Sequence, residues 1–466
     1  MPGTAPAGAA PLLDVGPPSM AEVAAGAGRW ALWLASWWGL QGLLWESDPS
    51  IYVLCLSLAT HVRVPPPFGQ VPPLLDVFIV YFQGFSPFCS LLFGTLALRY
   101  RSPTWLLSSA SCGWAALRRS SPRNGRSAAA ALGARAPARA PRPWLTMLHP
   151  YAYWFFRRVP GHGGGEVHIE RLWPSGLEAP IDVWYEAGAS SPSRSQPLRP
   201  ILLNLHGGAW RGGEARISPQ SPIWQTLAAQ GFLIVSCEYR RRRGAQWPVQ
   251  LNDCRAALMW LVREGAAQFH GDLEDLTIAG ASAGGHLVAL LLAEAVKKQL
   301  PLPVTFRAAL LFYPALDPAD RCRSTVRLPF SCSLLGVRYQ MSALEWFFEF
   351  FVLKSQRHCW SSAEPLKQLQ ELRKEQAAAW PPTLVVHGER DGVVPVEHSR
   401  EFLKTLAELS EEGGVGLRSC DQLLEIPGGR HTFEIVYCDL SDMSYDCTLA
   451  WLHQLRSVHK DGSGQG

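Results

Sequence analysis

Apolar positions come in two regimes along this chain. The first part holds long unbroken runs: Trp30–Trp45 has sixteen residues without a charge, Ile51–Ala59 adds a shorter run, and Val77–Leu98 has twenty-two. A bilayer core needs about 20 apolar residues in a helix, so only Val77–Leu98 reaches spanning length unaided. Glu46, Asp48 and Pro49 interrupt the first two runs, which read as one broken span or an interfacial hairpin. Ser102–Leu117 is short and Ser-rich and reads as a re-entrant or interfacial helix, so two crossings are expected. The cluster Trp30, Trp33, Trp37 and Trp38 suits a membrane interface. The competing reading makes all these runs helices of a soluble cap.

The second regime begins after residue 150. Asp182–Glu186 alternates as a strand, and Ala187–Pro200 is a Ser/Pro loop of the kind that joins two antiparallel strands. Short apolar runs follow at Ile201–Leu205, Phe232–Cys237, Leu276–Ala279, Ala308–Phe312 and Thr383–Val386, most of them separated by enough chain for a helix. Strands apolar on both faces belong in a parallel sheet covered by helices, so the expected fold class is α/β.

Composition sharpens this division. The chain has 466 residues, 47% hydrophobic and 18% charged, with 19 Trp, which is too apolar for a disordered or collagen-like chain. Residues 1–28 are rich in Ala, Gly and Pro, lack the basic start of a secretory signal, and read as a disordered N-terminus. A membrane-associated helical region is expected over 29–117, an Arg/Ala/Pro-rich linker over 118–150, and a globular domain over 151–460. Eleven Arg and no Asp or Glu lie between Arg99 and Arg158. Directly after an apolar run, such a stretch reads as a cytoplasmic flank on anionic lipid rather than as a nucleic-acid arm. The 11 Cys include no CxxC pair, so neither a disulfide framework nor a zinc site is suggested.

The chemistry lies where strands end. Leu276–Ala279 runs into Gly280-Ala281-Ser282-Ala283-Gly284, and a helical apolar run follows to Leu292. GxSxG between a strand and a helix is a nucleophile elbow, in which small neighbours tolerate a strained serine. About 75 residues upstream, Ile201–Leu205 ends in His206-Gly207-Gly208-Ala209-Trp210. A glycine-rich turn lets backbone N–H groups approach an oxyanion. The expected oxyanion site is Gly207, Gly208 and Ala209 with Ala283, the donors being the amides of Gly208, Ala209 and Ala283.

After Thr383–Val386 comes His387-Gly388-Glu389-Arg390-Asp391, and later Gly428-Gly429-Arg430-His431. This gives the order Ser282, Asp391, His431, with Asp391 preferred over Glu389 because it lies deeper in its loop. Of the thirteen His, only His431 follows the acid within a Gly-rich loop that could lay an imidazole over the serine; His286, His387 and His398 read as structural.

These stretches, together with Glu238-Tyr239-Arg240 and Phe312-Tyr313-Pro314, resemble the α/β-hydrolase superfamily, and within it the esterase/lipase group with an HGG oxyanion motif, related to hormone-sensitive lipase. The likeness runs from about Pro200 to Leu455. It implies an α/β-hydrolase fold and serine hydrolysis of carboxylic esters by Ser282, Asp391 and His431, with no metal or organic cofactor. Ala209 replaces the usual third glycine, and Arg240–Arg243 replaces smaller residues after the Tyr-Arg pair.

The segment 320–355, with aromatic Trp346–Phe351, falls where such folds place a lid; its alternative is an ordinary core helix. As a lid beside a membrane anchor it favours a hydrophobic, lipid-like ester. The expected partners are therefore a small-molecule or lipid ester and membrane lipid, not nucleic acid. An amidase or peptidase on the same triad is the second reading. A catalytically silent binding protein is the third, disfavoured because all three catalytic positions are filled.

Overall fold

The computed structural model describes residues 167–186, 197–216, 221–241, 245–319, 343–354, 356–410, 418–435 and 439–462, with short helical pieces at 94–99 and 106–108. The apolar runs 30–45 and 51–59, most of 77–98, the linker 118–150 and residues 320–342 lie outside the described residues. Among the described residues no helix is long and apolar enough to cross a membrane.

Eight strands form one sheet: β1 (Val167–Leu172), β2 (Ile181–Glu186), β3 (Arg199–Leu205), β4 (Leu233–Cys237), β5 (Gly271–Ala281), β6 (Ala308–Phe312), β7 (Thr383–Gly388) and β8 (Gln422–Ile426). Their spatial order is β1-β2-β4-β3-β5-β6-β7-β8. The pairs β1/β2 and β2/β4 are antiparallel and the rest parallel. The five runs expected as strands lie within β3 to β7. β2 and β3 run in opposite directions, as expected, and β4 is inserted between them. The chain must cross over through a helix to bring β4 parallel to β3, which leaves β2 on the outer side of β4.

The central strands explain why the run pattern was continuous. Leu202, Ile234, Leu310 and Leu384 face one core, while their neighbours Leu203, Val235, Leu311 and Val385 face the other. The first core is closed by α1 (Ser221–Ala229) and α7 (Asp439–Gly462), through Trp224, Leu227, Tyr445 and Trp451. The second is closed by α2 (Val249–Trp260), α3 (Ala283–Val296) and α6 (Val396–Leu409), through Leu258, Leu287, Leu291 and Phe402. Each such side chain withdrawn from water contributes about 1.5–3 kcal/mol. This two-sided burial holds the parallel strands in register, so their C-terminal ends share one rim, where loops from different parts of the chain meet.

Candidate active site

β5 ends at Ala281 and α3 begins at Ala283, leaving Ser282 alone at the turn with φ 52° and ψ −116°. This is a region that side-chain-bearing residues rarely occupy, and holding it costs on the order of 1–3 kcal/mol. Three hydrogen bonds fix it: Ser282 N–H donates to the Phe312 carbonyl (2.8 Å), and its own carbonyl accepts from His286 (3.1 Å) and Ala315 (3.2 Å). Gly284 is required for packing, since a Cβ there would lie 2.0 Å from the Leu205 carbonyl at the end of β3. The elbow and the HGG loop are thereby pressed together.

The loops after β7 and β8 bring the other two groups to this point. Ser282 Oγ lies 3.1 Å from His431 Nε2, and His431 Nδ1 lies 2.7 Å from Asp391 Oδ2. One neutral tautomer satisfies both contacts: Nδ1–H donates to the carboxylate, and Nε2 accepts the serine hydroxyl proton. All three residues are buried, and Tyr313 packs edge-on against the imidazole with ring centroids 4.7 Å apart.

Asp391 Oδ1 accepts the N–H groups of Val393 (2.9 Å) and Val394 (2.8 Å). Burial alone would raise the Asp391 pKa, but His431 and His387 outweigh it and hold the carboxyl well below the usual carboxylate range. Glu389 instead accepts the Gly428 N–H and is exposed, so the structure separates the two acidic residues as the sequence suggested.

The HGG loop carries an unusual backbone. Gly208 has φ 121°, and the next two residues, Ala209 (φ 51°) and Trp210 (φ 57°), are both left-handed without being glycine. The Gly208 carbonyl accepts from Arg211 (3.1 Å) and Gly212 (2.7 Å), closing the turn on itself. Gly207 lies against the elbow, where a Cβ would come within 2.8 Å of the Ala281 carbonyl. Among the described residues the N–H groups of Gly208, Ala209 and Ala283 make no hydrogen bond to backbone or side chain. Ala283 is also the first residue of α3, where the helix dipole favours negative charge.

Behind this loop lies a set of residues for which the sequence offered only the Glu238-Tyr239-Arg240 stretch. Glu238 Oε1 accepts the Ala215 N–H (2.7 Å), and its Oε2 stands 3.3 Å from His206 Nε2 and 2.9 Å from Arg241 Nη2. Burial would raise the Glu238 pKa; His206, the Ala215 amide and Arg241 together turn the shift downward. Tyr239 stacks on the His206 ring at 4.2 Å and donates its hydroxyl to the His206 carbonyl (3.0 Å). The Arg-rich departure is thus partly absorbed: Arg240 grips Asp253 and Arg241 grips Glu238.

His286 and His398 have structural surroundings, whereas His387 stands 3.4 Å from Asp391 Oδ2. His286 is fully buried, accepts the Trp210 indole N–H at Nδ1 (3.2 Å) and donates Nε2–H to the Ala363 carbonyl (2.8 Å). Burial lowers its pKa to about 4. His387 ends β7, and His398 is buried on α6.

The expected lid is described only from residue 343. There α4 (Ala343–Phe347) runs into a wide turn over Phe348–Val352. Phe348 is wholly buried, with its ring against Trp210, Trp247, His286 and Trp360, whereas Phe351 is exposed and its carbonyl accepts from Arg211. One end of this segment is therefore rooted in the core beside the HGG loop. Among the described residues no group of three or more His, Cys, Asp or Glu is placed to hold a metal ion.

Residues 202–412 match a family model described as alpha/beta hydrolase fold. Esterase LipC of Mycobacterium tuberculosis is 30% identical over 262 residues, covering 55% of this chain and 57% of that protein. Arylacetamide deacetylase of Oryctolagus cuniculus is 32% identical over 129 residues, 27% of this chain and 32% of that one. The crystal structure of carboxyl esterase 2 from Tuber melanosporum aligns with a TM-score of 0.46 at 19% identity, covering 64% of this chain and 88% of that chain. The chain spans about half the length of the first curated relatives it matches. Sheet order, elbow and family match agree: the chain carries an α/β-hydrolase fold, matched over residues 202–412.

Proposed function

We propose that this protein is a serine hydrolase that cleaves carboxylic esters, with Ser282 as nucleophile, His431 as general base and Asp391 as the group that orients it. The observation that carries the reading is the continuous hydrogen-bonded line Asp391–His431–Ser282, assembled from three separate loops. As Ser282 Oγ attacks the ester carbonyl carbon, its proton passes to His431 Nε2 and the carbonyl electron pair moves onto oxygen. That oxyanion is met by the amides of Gly208, Ala209 and Ala283, each worth about 3 kcal/mol of transition-state stabilisation. Collapse expels the alcohol, which takes the proton from His431, and leaves an acyl-enzyme. Water then attacks the acyl carbon through the same base, freeing the acid and restoring Ser282. Asp391 stays ionised throughout and favours the imidazolium that each attack creates.

The names of the relatives, esterases and a probable carboxylic ester hydrolase, support ester rather than amide cleavage. Segment 29–117 serves as a membrane anchor and the catalytic domain faces the cytoplasm; the uncharged Val77–Leu98 run and the Arg-only stretch after it support this. An anchor of this kind, with the aromatic segment Trp346–Phe351 beside the HGG loop, makes a hydrophobic ester the matching substrate.

The test is a fluorophosphonate probe on the full chain. Labelling that disappears in Ser282→Ala is expected, and equal labelling of both proteins rejects the nucleophile. Faster turnover of anilides than of matching p-nitrophenyl esters replaces esterase by amidase. Release of the chain into the soluble fraction by carbonate rejects the anchor.

A further inference from the structure

We infer that Glu238 is a positioning residue that holds the HGG loop in its donor-presenting form. This inference rests on the hydrolase reading above and deepens its oxyanion site.

The loop from His206 to Ala215 has to keep two consecutive left-handed residues without glycine, Ala209 and Trp210, directly at the expected donors. Such a backbone relaxes unless its surroundings over-determine it. The structure provides that constraint at both ends, from the end of β4 and the residues directly after it. At the loop's end, Glu238 Oε1 holds the Ala215 N–H, and Ser236 Oγ donates to the Ala215 carbonyl (2.8 Å) while itself receiving Asn204 Nδ2–H (2.8 Å). At the loop's start, Glu238 Oε2 faces His206 Nε2, and Tyr239 holds the His206 carbonyl. His206 Nδ1 lies 2.6 Å from the Gly207 carbonyl, so it donates there and fixes the first peptide of the loop.

One carboxylate thus holds the end of a ten-residue loop through the Ala215 N–H and lies 3.3 Å from the imidazole at its start, while the middle of the loop is strained. It is 6% exposed and does not take part in the Asp391–His431–Ser282 line. Against the burial that would raise its pKa, His206, the Ala215 amide and then Arg241 lower it, which keeps the carboxylate ionised. A role through the loop acts on the tetrahedral transition state, in which the oxyanion forms, and leaves ground-state binding alone.

The experiment compares native protein with Glu238→Gln, which preserves an acceptor for Ala215 but loses the charge facing His206 and Arg241. Measured are kcat and KM on a p-nitrophenyl ester, the rate of fluorophosphonate labelling, and the melting temperature. Expected is a fall in kcat of about ten- to a hundredfold, with KM within threefold, labelling slowed in parallel, and melting within a few degrees of native. Unchanged kcat, or a loss expressed only in KM, overturns the inference.

If Glu238→Gln melts far lower, Tyr239→Phe decides. It removes only the hydroxyl on the His206 carbonyl, and a kcat loss of about three- to tenfold at native melting temperature is expected, whereas native kcat rejects the bracket. Failure of the native protein to label at all removes the hydrolase reading instead. The two failures are therefore distinguishable.

Discussion

His387 and His431 approach the same carboxylate oxygen, Asp391 Oδ2, at 3.4 and 2.7 Å. His387 is fully buried, Ser399 Oγ lies 2.8 Å from its Nδ1, and its Nε2 lies 2.9 Å from the Val394 carbonyl. Its Nε2–H therefore points at Val394 and past it toward Asp391, as a second dipole on the acid.

That relationship sets a pH dependence. The Asp391 carboxyl is depressed, so it remains ionised across the range in which the enzyme is assayed, and the acid limb of kcat/KM reports protonation of His431. Replacing His387 by Leu removes a donor from Asp391, makes the carboxylate more basic and favours the imidazolium. The acid limb of the kcat/KM profile should move to higher pH than in the native protein. A limb that stays put, or moves down, contradicts the role given to this contact.

Strain at the nucleophile predicts an inverse relation between stability and activity. Ser282→Gly removes the Cβ that makes φ 52° costly. Urea unfolding should show a gain of about 1 kcal/mol, while ester turnover falls by about four orders of magnitude or more. Loss of stability in the glycine variant would show that the turn is not strained.

Burial of His286 makes a separate, purely structural prediction. Its pKa falls from the ordinary 6.5 to about 4, so the unfolded chain binds the proton more readily than the folded one. Stability must then decline as pH drops from about 6.5 to about 4, by on the order of 3 kcal/mol. The depressed Asp391 carboxyl acts the other side of this window: its contribution is full above its unfolded value near 3.9 and is lost as pH falls through its lower folded value. Melting curves at stepped pH should therefore show two stages, and His286→Gln should flatten only the upper one.

Close packing at the elbow gives the last prediction. A Cβ at Gly284 meets the Leu205 carbonyl at 2.0 Å, whereas one at Gly176 meets nothing within 4 Å. Gly284→Ala should cost more than about 3 kcal/mol and abolish turnover, while Gly176→Ala, strained only through its φ of 82°, should cost about 1 kcal/mol and retain turnover. Similar losses for the two in thermal unfolding would contradict this packing.

The strands that could be read directly were those buried on both faces. β1 (Val167–Leu172) was missed because it is an edge of the sheet and only partly buried, so it shows no continuous apolar run; of β8 (Gln422–Ile426), the other and likewise partly buried edge, only its end before the Gly-rich loop was expected. The composition of the chain after β2 marks a reversal of direction, which the sheet bears out, but which strand becomes the neighbour is settled by the helical crossover that brings β4 in.

Ser282, Asp391 and His431 were legible because the chemistry proposed for them forces local signs, small residues around a strained serine and glycines beside an imidazole. Glu238 and His387 left no comparable sign. Glu238 lies against residues far away in the chain, and only a folded sheet that aligns strand ends along one rim brings its carboxylate to residues 206 and 215; His387 stands four positions before Asp391, but only the fold of that loop turns both it and the distant His431 onto the same carboxylate oxygen. The order of residues thus determined what kind of chemistry can be proposed for this protein, because reactive groups impose requirements on their immediate neighbours. Which side chains hold that chemistry in place was decided by tertiary packing, since contacts between distant segments leave no pattern in any one of them.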